Sequence, residues 1–198
     1  MKEFPKFFDN NDYFIDEKVG FLKFHNAYKV FNKDGEQIGN ITEKMSVGKK
    51  MLTLLLNKAM FPFRIEIRDM EDNLLASVTR GWTFFMSKIT ILDADNEAIA
   101  IIKQKFKMFK PEFKILDLNE NELAKIAGDW KAWNFAITTN DSKSIGTISK
   151  KWNGILKESF TTADKYIVSV APELKEDLLK IIIVSSAITI DMVLKESK

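Results

Sequence analysis

The residue types that carry out most enzymatic chemistry are scarce in this chain. It has no Cys and a single His, His25, which excludes thiolate nucleophiles, Cys-ligated zinc and multi-His metal sites. A Ser-His-Asp triad would have to use His25, and its neighbours Phe24 and Asn26 form no catalytic motif. We therefore interpret His25 as a surface or hydrogen-bonded side chain and predict that the protein is not an enzyme.

Lysine is the abundant ionisable residue, and its spacing points to anion binding. The 198 residues include 27 Lys and 3 Arg against 28 Asp and Glu, so the net charge is only +2 and gives no general reason to expect nucleic acid binding. Lys103, Lys105 and Lys107 share one face of a strand, with Lys110 and Lys114 nearby. Each Lys near an anionic surface contributes about 1 kcal/mol to binding, so this stripe predicts weak, salt-sensitive contact with lipid headgroups. The alternative is that these lysines bind nothing and only keep a solvent-exposed strand face soluble.

A second candidate lies in residues 45–60, where the apolar residues have helical spacing. Lys49 and Lys50 stand beside several leucines, an arrangement that suits an amphipathic helix lying on a membrane surface. The alternative is a short surface helix that packs on the end of the sheet, since most apolar helix faces belong to a core.

Residues 13–170 consist mostly of short runs rich in β-forming residues. We therefore expect strands to position most of these side chains. In residues 63–68 apolar and charged residues alternate, which is typical of an antiparallel sheet with one buried face. Clusters of Asp, Asn and Gly separate the runs and predict hairpin turns. Four turn aspartates are spaced 24 residues apart, namely Asp69, Asp93, Asp117 and Asp141. The spacing indicates repeated hairpins, either from an ancestral repeat or from accidental phasing.

Residues 174–196, which follow Pro172, are predicted to form a helix; their β-branched content would also allow a strand, but the acidic start and the later Lys195 favour the helix. Its 10 uncharged residues, 181–190, are too few for a spanning helix, which needs ~20, and are typical of a buried core helix. Because the segment is apolar on all sides, we place it inside an antiparallel sheet closed into a barrel. Asp191 then needs a hydrogen-bond or Lys partner, or a place at the barrel mouth. The predicted core positions of the helix are Ile181, Ile182, Ile183, Val184, Ile188 and Ile190.

The residues from Ser144 onward form a specific combination of Gly, Trp, Glu, Phe-Thr and Ala-Asp. They are Ile145-Gly146, Ile148-Ser149-Lys150, Trp152, Gly154-Ile155-Leu156, Glu158, Phe160-Thr161, Ala163-Asp164, Tyr166 and Ile190-Asp191. This pattern resembles the phospholipid scramblase family, with the related LURP-one-like proteins as the alternative; both belong to the Tubby C-terminal-like superfamily. The resemblance implies a mainly β fold, a closed 12-stranded antiparallel β-barrel around a central hydrophobic C-terminal helix. We expect it to form one domain over residues 1–198.

The resemblance also implies peripheral binding of anionic phospholipid, linked to the distribution of lipids between leaflets. Calcium dependence is implied for the family, but here only Asp164 matches its acidic motif, and Glu173 is displaced from the later acidic position. Since Ca²⁺ takes about six to eight oxygen ligands, these two residues make a weak metal site, and no cofactor is expected. The alternative function is a non-enzymatic, LURP-one-like scaffold that binds protein or nucleic acid.

The expected location is the cytoplasm, with peripheral contact to membranes. Residues 1–12 lack the apolar run of a secretory signal. The missing Cys also removes the palmitoyl anchor that often attaches scramblase-like proteins to membranes. Membrane contact is therefore expected to come from lysines and exposed apolar side chains.

Overall fold

A computed structural model describes residues 5–18, 27–44, 61–82, 88–105, 112–129, 131–150 and 165–196. These residues form a short 3-10 helical turn at Lys6–Asp9, twelve β-strands and one α-helix. The strands are β1 (Asp12–Lys18), β2 (Ala27–Phe31), β3 (Gln37–Lys44), β4 (Phe63–Asp69), β5 (Leu74–Arg80), β6 (Lys88–Asp93), β7 (Ala98–Lys105), β8 (Glu112–Leu116), β9 (Glu122–Asp129), β10 (Asn134–Thr138), β11 (Ser144–Ser149) and β12 (Lys165–Val170). The helix, α1, is Asp177–Glu196.

The twelve strands close into one antiparallel barrel. Each strand pairs with its neighbours in sequence, and β1 pairs with β12, where Phe14 stands opposite Ile167. Closure leaves none of the described strands with an unpaired edge, which removes the cost that open edges impose on a large sheet. The predicted fold, a closed 12-stranded antiparallel barrel with a C-terminal helix, is confirmed.

Five hairpin turns share one geometry and lie at the same end of the barrel, which we call the turn rim. They span residues 32–36, 69–73, 93–97, 117–121 and 139–143. In each, the first amide donates to the fifth carbonyl, and the fourth amide donates to the first carbonyl. The fourth residue has a positive φ in every turn, at Gly35, Asp72, Asn96, Glu120 and Ser142. The strands after these turns are shifted by one residue, as in a hairpin that ends in a bulge.

The four evenly spaced turn aspartates do not all occupy the same position in their turns. Asp69, Asp93 and Asp117 each open a turn, and their side chains accept hydrogen bonds from the amides that follow. The last turn opens at Thr139 instead, and Asp141 is its third residue, with a carboxylate that accepts from the Thr139 hydroxyl. The predicted hairpins are therefore present at all four aspartates, but Asp141 occupies a different position of its turn from Asp69, Asp93 and Asp117.

Helix α1 fills the barrel. Every residue from 181 to 194 is buried, and the six predicted core positions are 0–6% exposed. Full burial of an Ile or Val side chain stabilises the fold by about 1.5–3 kcal/mol. Because strands surround α1, the apolar side chains on every face of the helix contribute this stabilisation. The helix begins at Asp177, three residues later than predicted, because the preceding chain forms a turn in which the Leu174 amide donates to the Ala171 carbonyl.

Two contacts hold the ends of α1 in the barrel. Near the turn rim, Lys180 Nζ donates to the Phe8 carbonyl at 3.1 Å. Towards the other end, Asp191, which is 1% exposed, accepts a hydrogen bond from the Tyr28 hydroxyl. The buried Asp191 thus has the kind of partner that its burial requires. Among the residues that the structure describes, no helix combines the length and hydropathy needed to cross a membrane.

Candidate anion-binding face

Four lysines lie side by side on the outer face of β6 to β9. Lys88 stands opposite Lys103, Lys103 opposite Lys114, and Lys114 opposite Lys125. Neighbouring strands are about 4.8 Å apart, so the Cα atoms of the four lysines extend over roughly 14 Å. We call this set the lysine row.

The barrel core fixes the outward direction of the lysine row. Each lysine has a buried isoleucine next to it in its own strand: Ile89, Ile102, Ile115 and Ile126 are 0–1% exposed. Successive side chains of a strand point to opposite faces, so burial of the isoleucines turns the lysines outward. A slip of one residue in any of these strands would place a lysine in the core, which strongly specifies the register.

Two carboxylates from the β8–β9 hairpin compensate the two central lysines. Lys103 Nζ lies 2.8 Å from Glu120 Oε2, and Lys114 Nζ donates to Glu122. The pKa of Glu120 is lowered, mainly by the hydrogen bond from Lys103, with a smaller contribution from Lys88. The pKa of Lys114 is raised, mainly by the hydrogen bond to Glu122. Like charges directly opposite in a sheet destabilise it, and these carboxylates offset that repulsion.

The two ends of the lysine row are less compensated. Lys88 and Lys125 are exposed, and within the described part of the chain neither forms an ion pair with a carboxylate. Lys105 extends the basic face by one more exposed side chain, opposite Glu112 of β8. As far as the described residues go, each end of the row therefore presents an ammonium group that forms no ion pair, although Lys88 is also attracted by the charge of Glu120.

The sequence predicts part of this face. Of the predicted anion-binding lysines, the structure describes Lys103 and Lys105, which both lie on it. Lys88 and Lys125 were missed, because spacing within one strand carries no information about which residue of the next strand stands opposite. The remaining predicted residues, Lys107, Lys110, Lys49 and Lys50, lie outside the described residues, together with the predicted helix at 45–60.

The turn rim has the opposite charge. Its five turns contain eleven acidic side chains and two lysines, a net charge of −9, so the rest of the chain carries +11. The two regions meet at the centre of the lysine row, because Glu120 of the turn rim contacts Lys103.

A second group of charges, on β3 and β4, is compensated internally. Glu66 is 8% exposed and accepts hydrogen bonds from Arg64 Nε at 3.2 Å and Arg68 Nη2 at 2.9 Å, with Lys44 Nζ 3.6 Å away. Burial alone would raise the pKa of Glu66, but the hydrogen bonds from Arg68 and Arg64 and the attraction of the nearby cations outweigh it, so the pKa is lowered. Arg64 and Arg68 are therefore engaged within the barrel wall, unlike Lys88 and Lys125.

The structure describes only one of the two residues predicted to form a weak metal site. Glu173 is exposed in the segment before α1, while Asp164 lies outside the described residues, as does His25, which was considered as a catalytic base. The described residues contain no group of three or more His, Asp and Glu that is arranged to hold a metal ion.

Comparisons with known proteins agree with this architecture. The Scramblase family matches residues 18–197 of the chain. The X-ray structure of a protein from Arabidopsis thaliana is similar, with a TM-score of 0.52 over 93% of this chain and 96% of the plant chain. The two sequences are 6% identical, so that likeness concerns the fold alone. A comparison with curated proteins finds no match.

Proposed function

Because this chain belongs to the scramblase family, as the residue pattern of its last third predicts, we propose that it binds anionic phospholipid membranes peripherally through the lysine row. The observation that supports this most directly is the register of β6 to β9, which aligns four ammonium side chains on one outer face. A membrane that approaches this side of the barrel would meet neighbouring ammonium groups together, which a scattered set of lysines would not allow.

The expected affinity is modest. Each lysine near an anionic surface contributes about 1 kcal/mol, and the row together with Lys105 supplies five, partly offset by Glu112, Glu120 and Glu122. Such contacts are screened over about 10 Å at 0.1 M salt, so binding should weaken strongly as salt is added. The proposed role is thus reversible attachment.

The burial of α1 also favours surface attachment. Its apolar residues are enclosed by strands, so in this fold the outer charged face, and not the helix, is what a membrane would meet. A link to the distribution of lipids between leaflets and a location at the cytoplasmic side of a membrane belong to the same proposal. Movement of a lipid between leaflets breaks no covalent bond, so the family is not a class of enzymes in that sense.

Cosedimentation with vesicles tests the proposal. The protein is mixed with vesicles of phosphatidylcholine, alone or with phosphatidylserine, at low and high salt. We expect binding to the mixed vesicles only, and less of it at high salt. The double variant Lys88→Glu and Lys125→Glu should lose most of this binding.

The matched control is Lys33→Glu and Lys143→Glu, which makes the same change in net charge in two turns of the turn rim. It should retain most of the binding, because Lys33 and Lys143 lie in the turn rim and neither belongs to the lysine row. Equal sedimentation with both kinds of vesicle, or an equal loss in both double variants, would refute the role of the row. Binding to nucleic acid but not to vesicles would instead support the scaffold alternative.

A further inference from the structure

Glu120 occupies a backbone position that disfavours it. It is the fourth residue of its turn and has a φ of 67°, in the left-handed region. The equivalent residues in the other four turns are Gly35, Asp72, Asn96 and Ser142, all with short side chains. Gly, Asn and Asp tolerate this region best, so local backbone preference gives no reason for a long glutamate here.

The side chain of Glu120 instead makes a contact on the lysine row. Its carboxylate reaches Lys103 of β7, while Glu122, two residues later, binds Lys114 of β8. One hairpin thus supplies anions to both central lysines, and the two outer lysines have no such partner among the described residues. The carboxylates stand where the phosphates of bound headgroups would be expected.

The Lys103–Glu120 contact is open to exchange. The side chain of Glu120 is 56% exposed and that of Lys103 is 40% exposed, so water and other anions reach the contact. Exposed ion pairs contribute little to stability, and another anion can therefore replace the carboxylate.

We propose that Glu120 and Glu122 are internal competitors of anionic headgroups and set the density of negative charge that a membrane needs before the protein binds. This inference rests on the proposed function of the lysine row. A tethered carboxylate acts at high effective concentration, so isolated headgroups displace it poorly. A densely charged membrane offers several headgroups at once, and together they displace both carboxylates and contact all four ammonium groups.

The test compares two double variants that make the same change in net charge. Glu120→Gln with Glu122→Gln removes the competitors, and Glu71→Gln with Glu173→Gln alters exposed residues whose segments do not adjoin the β8–β9 hairpin. Binding is measured against the phosphatidylserine fraction of phosphatidylcholine vesicles at fixed salt. We expect the first variant to reach half-maximal binding at a phosphatidylserine fraction about twofold lower than the second, since only it frees the central lysines. Glu120→Asn, which suits the positive φ, should fold normally and lower the required fraction too.

The outcomes separate this inference from the proposed function. Suppose that the two double variants need the same phosphatidylserine fraction, while Lys88→Glu with Lys125→Glu still abolishes binding. The competitor role of Glu120 and Glu122 is then overturned, and the proposal that the lysine row binds membranes is retained. If the unaltered protein and all variants fail to bind phosphatidylserine, the proposed function fails and this inference fails with it.

Discussion

The hydroxyl of Tyr28 on β2 donates a hydrogen bond of 2.8 Å to Oδ2 of Asp191 on α1. Both residues are buried, at 2% and 1% exposure, and 163 positions separate them in the sequence. The bond therefore joins the barrel wall to the helix that it encloses. Because a buried hydrogen bond would be lost if α1 shifted in the barrel, this contact favours one position of α1 over others.

We expect Tyr28→Phe to lower the free energy of unfolding by about 1–3 kcal/mol, because it deprives Asp191 of this donor. Urea denaturation monitored by tryptophan fluorescence measures the change. Tyr13→Phe is the control: its hydroxyl donates to the Asn10 carbonyl in a partly buried contact, and its loss should cost less. A Tyr28→Phe protein as stable as the unaltered one would contradict the role of the bond.

Glu66 should make stability depend on pH in the acidic range. Its folded pKa is lowered from an ordinary value of 4.5, so its stabilising contribution is present above that value and is lost as the pH falls through the folded pKa. We expect Glu66→Gln to be less stable by about 1–3 kcal/mol at neutral pH, since a buried charged acceptor is removed. Unfolding measured at several values from pH 7 downward should show this difference shrinking below about pH 4.5.

The control for Glu66 is Glu71→Gln, the same change on an exposed turn. Surface substitutions of this kind usually stay within about 0.5 kcal/mol. A difference between Glu66→Gln and the unaltered protein that stayed constant down to pH 3 would show that the ion pairs of Glu66 contribute nothing to folding.

Backbone conformation predicts opposite effects for two Gly→Ala substitutions, one in the turn rim and one after β5. Gly35 has a φ of 81°, where an L side chain is strained by about 1–2 kcal/mol, so Gly35→Ala should destabilise the protein. At Gly81 an added Cβ meets nothing within 4 Å and φ lies outside the left-handed region, so Gly81→Ala should be neutral or stabilising by up to about 1 kcal/mol. Thermal unfolding of the two variants compares them directly, and equal midpoints would argue against the shared turn geometry.

The lysine row should cost stability at low salt. Lys125 stands opposite Lys114, so Lys125→Gln removes a like-charge contact. We expect a higher urea midpoint than for the unaltered protein at about 0.01 M salt, and no difference at about 1 M, where charges are screened within about 3 Å. Lys143→Gln, in a turn that contains Asp141, should show no such gain. The same Lys125→Gln protein should bind anionic vesicles more weakly, so stability and binding change in opposite directions.

Local patterns explain why the barrel and its helix were predictable. The alternation in residues 63–68 and the uncharged run at 181–190 are properties of neighbouring residues, and they correspond to β4 and to the buried part of α1. The absence of Cys and the single His likewise limit the available chemistry through composition alone. The end of the helix at Glu196 was predicted, whereas its start was not, since the turn before Asp177 depends on a backbone contact with Ala171.

The sequence by itself determined the strand faces, the turn positions and the all-apolar helix, because each depends on side chains a few residues apart. Only the tertiary structure decided which lysines are neighbours. Lys88 faces Lys103 because the register shifts by one residue after Ile91; without that shift it would face Ile102, which belongs to the core. Barrel closure and register join residues that are distant in sequence, and they depend on the packing of every strand against α1.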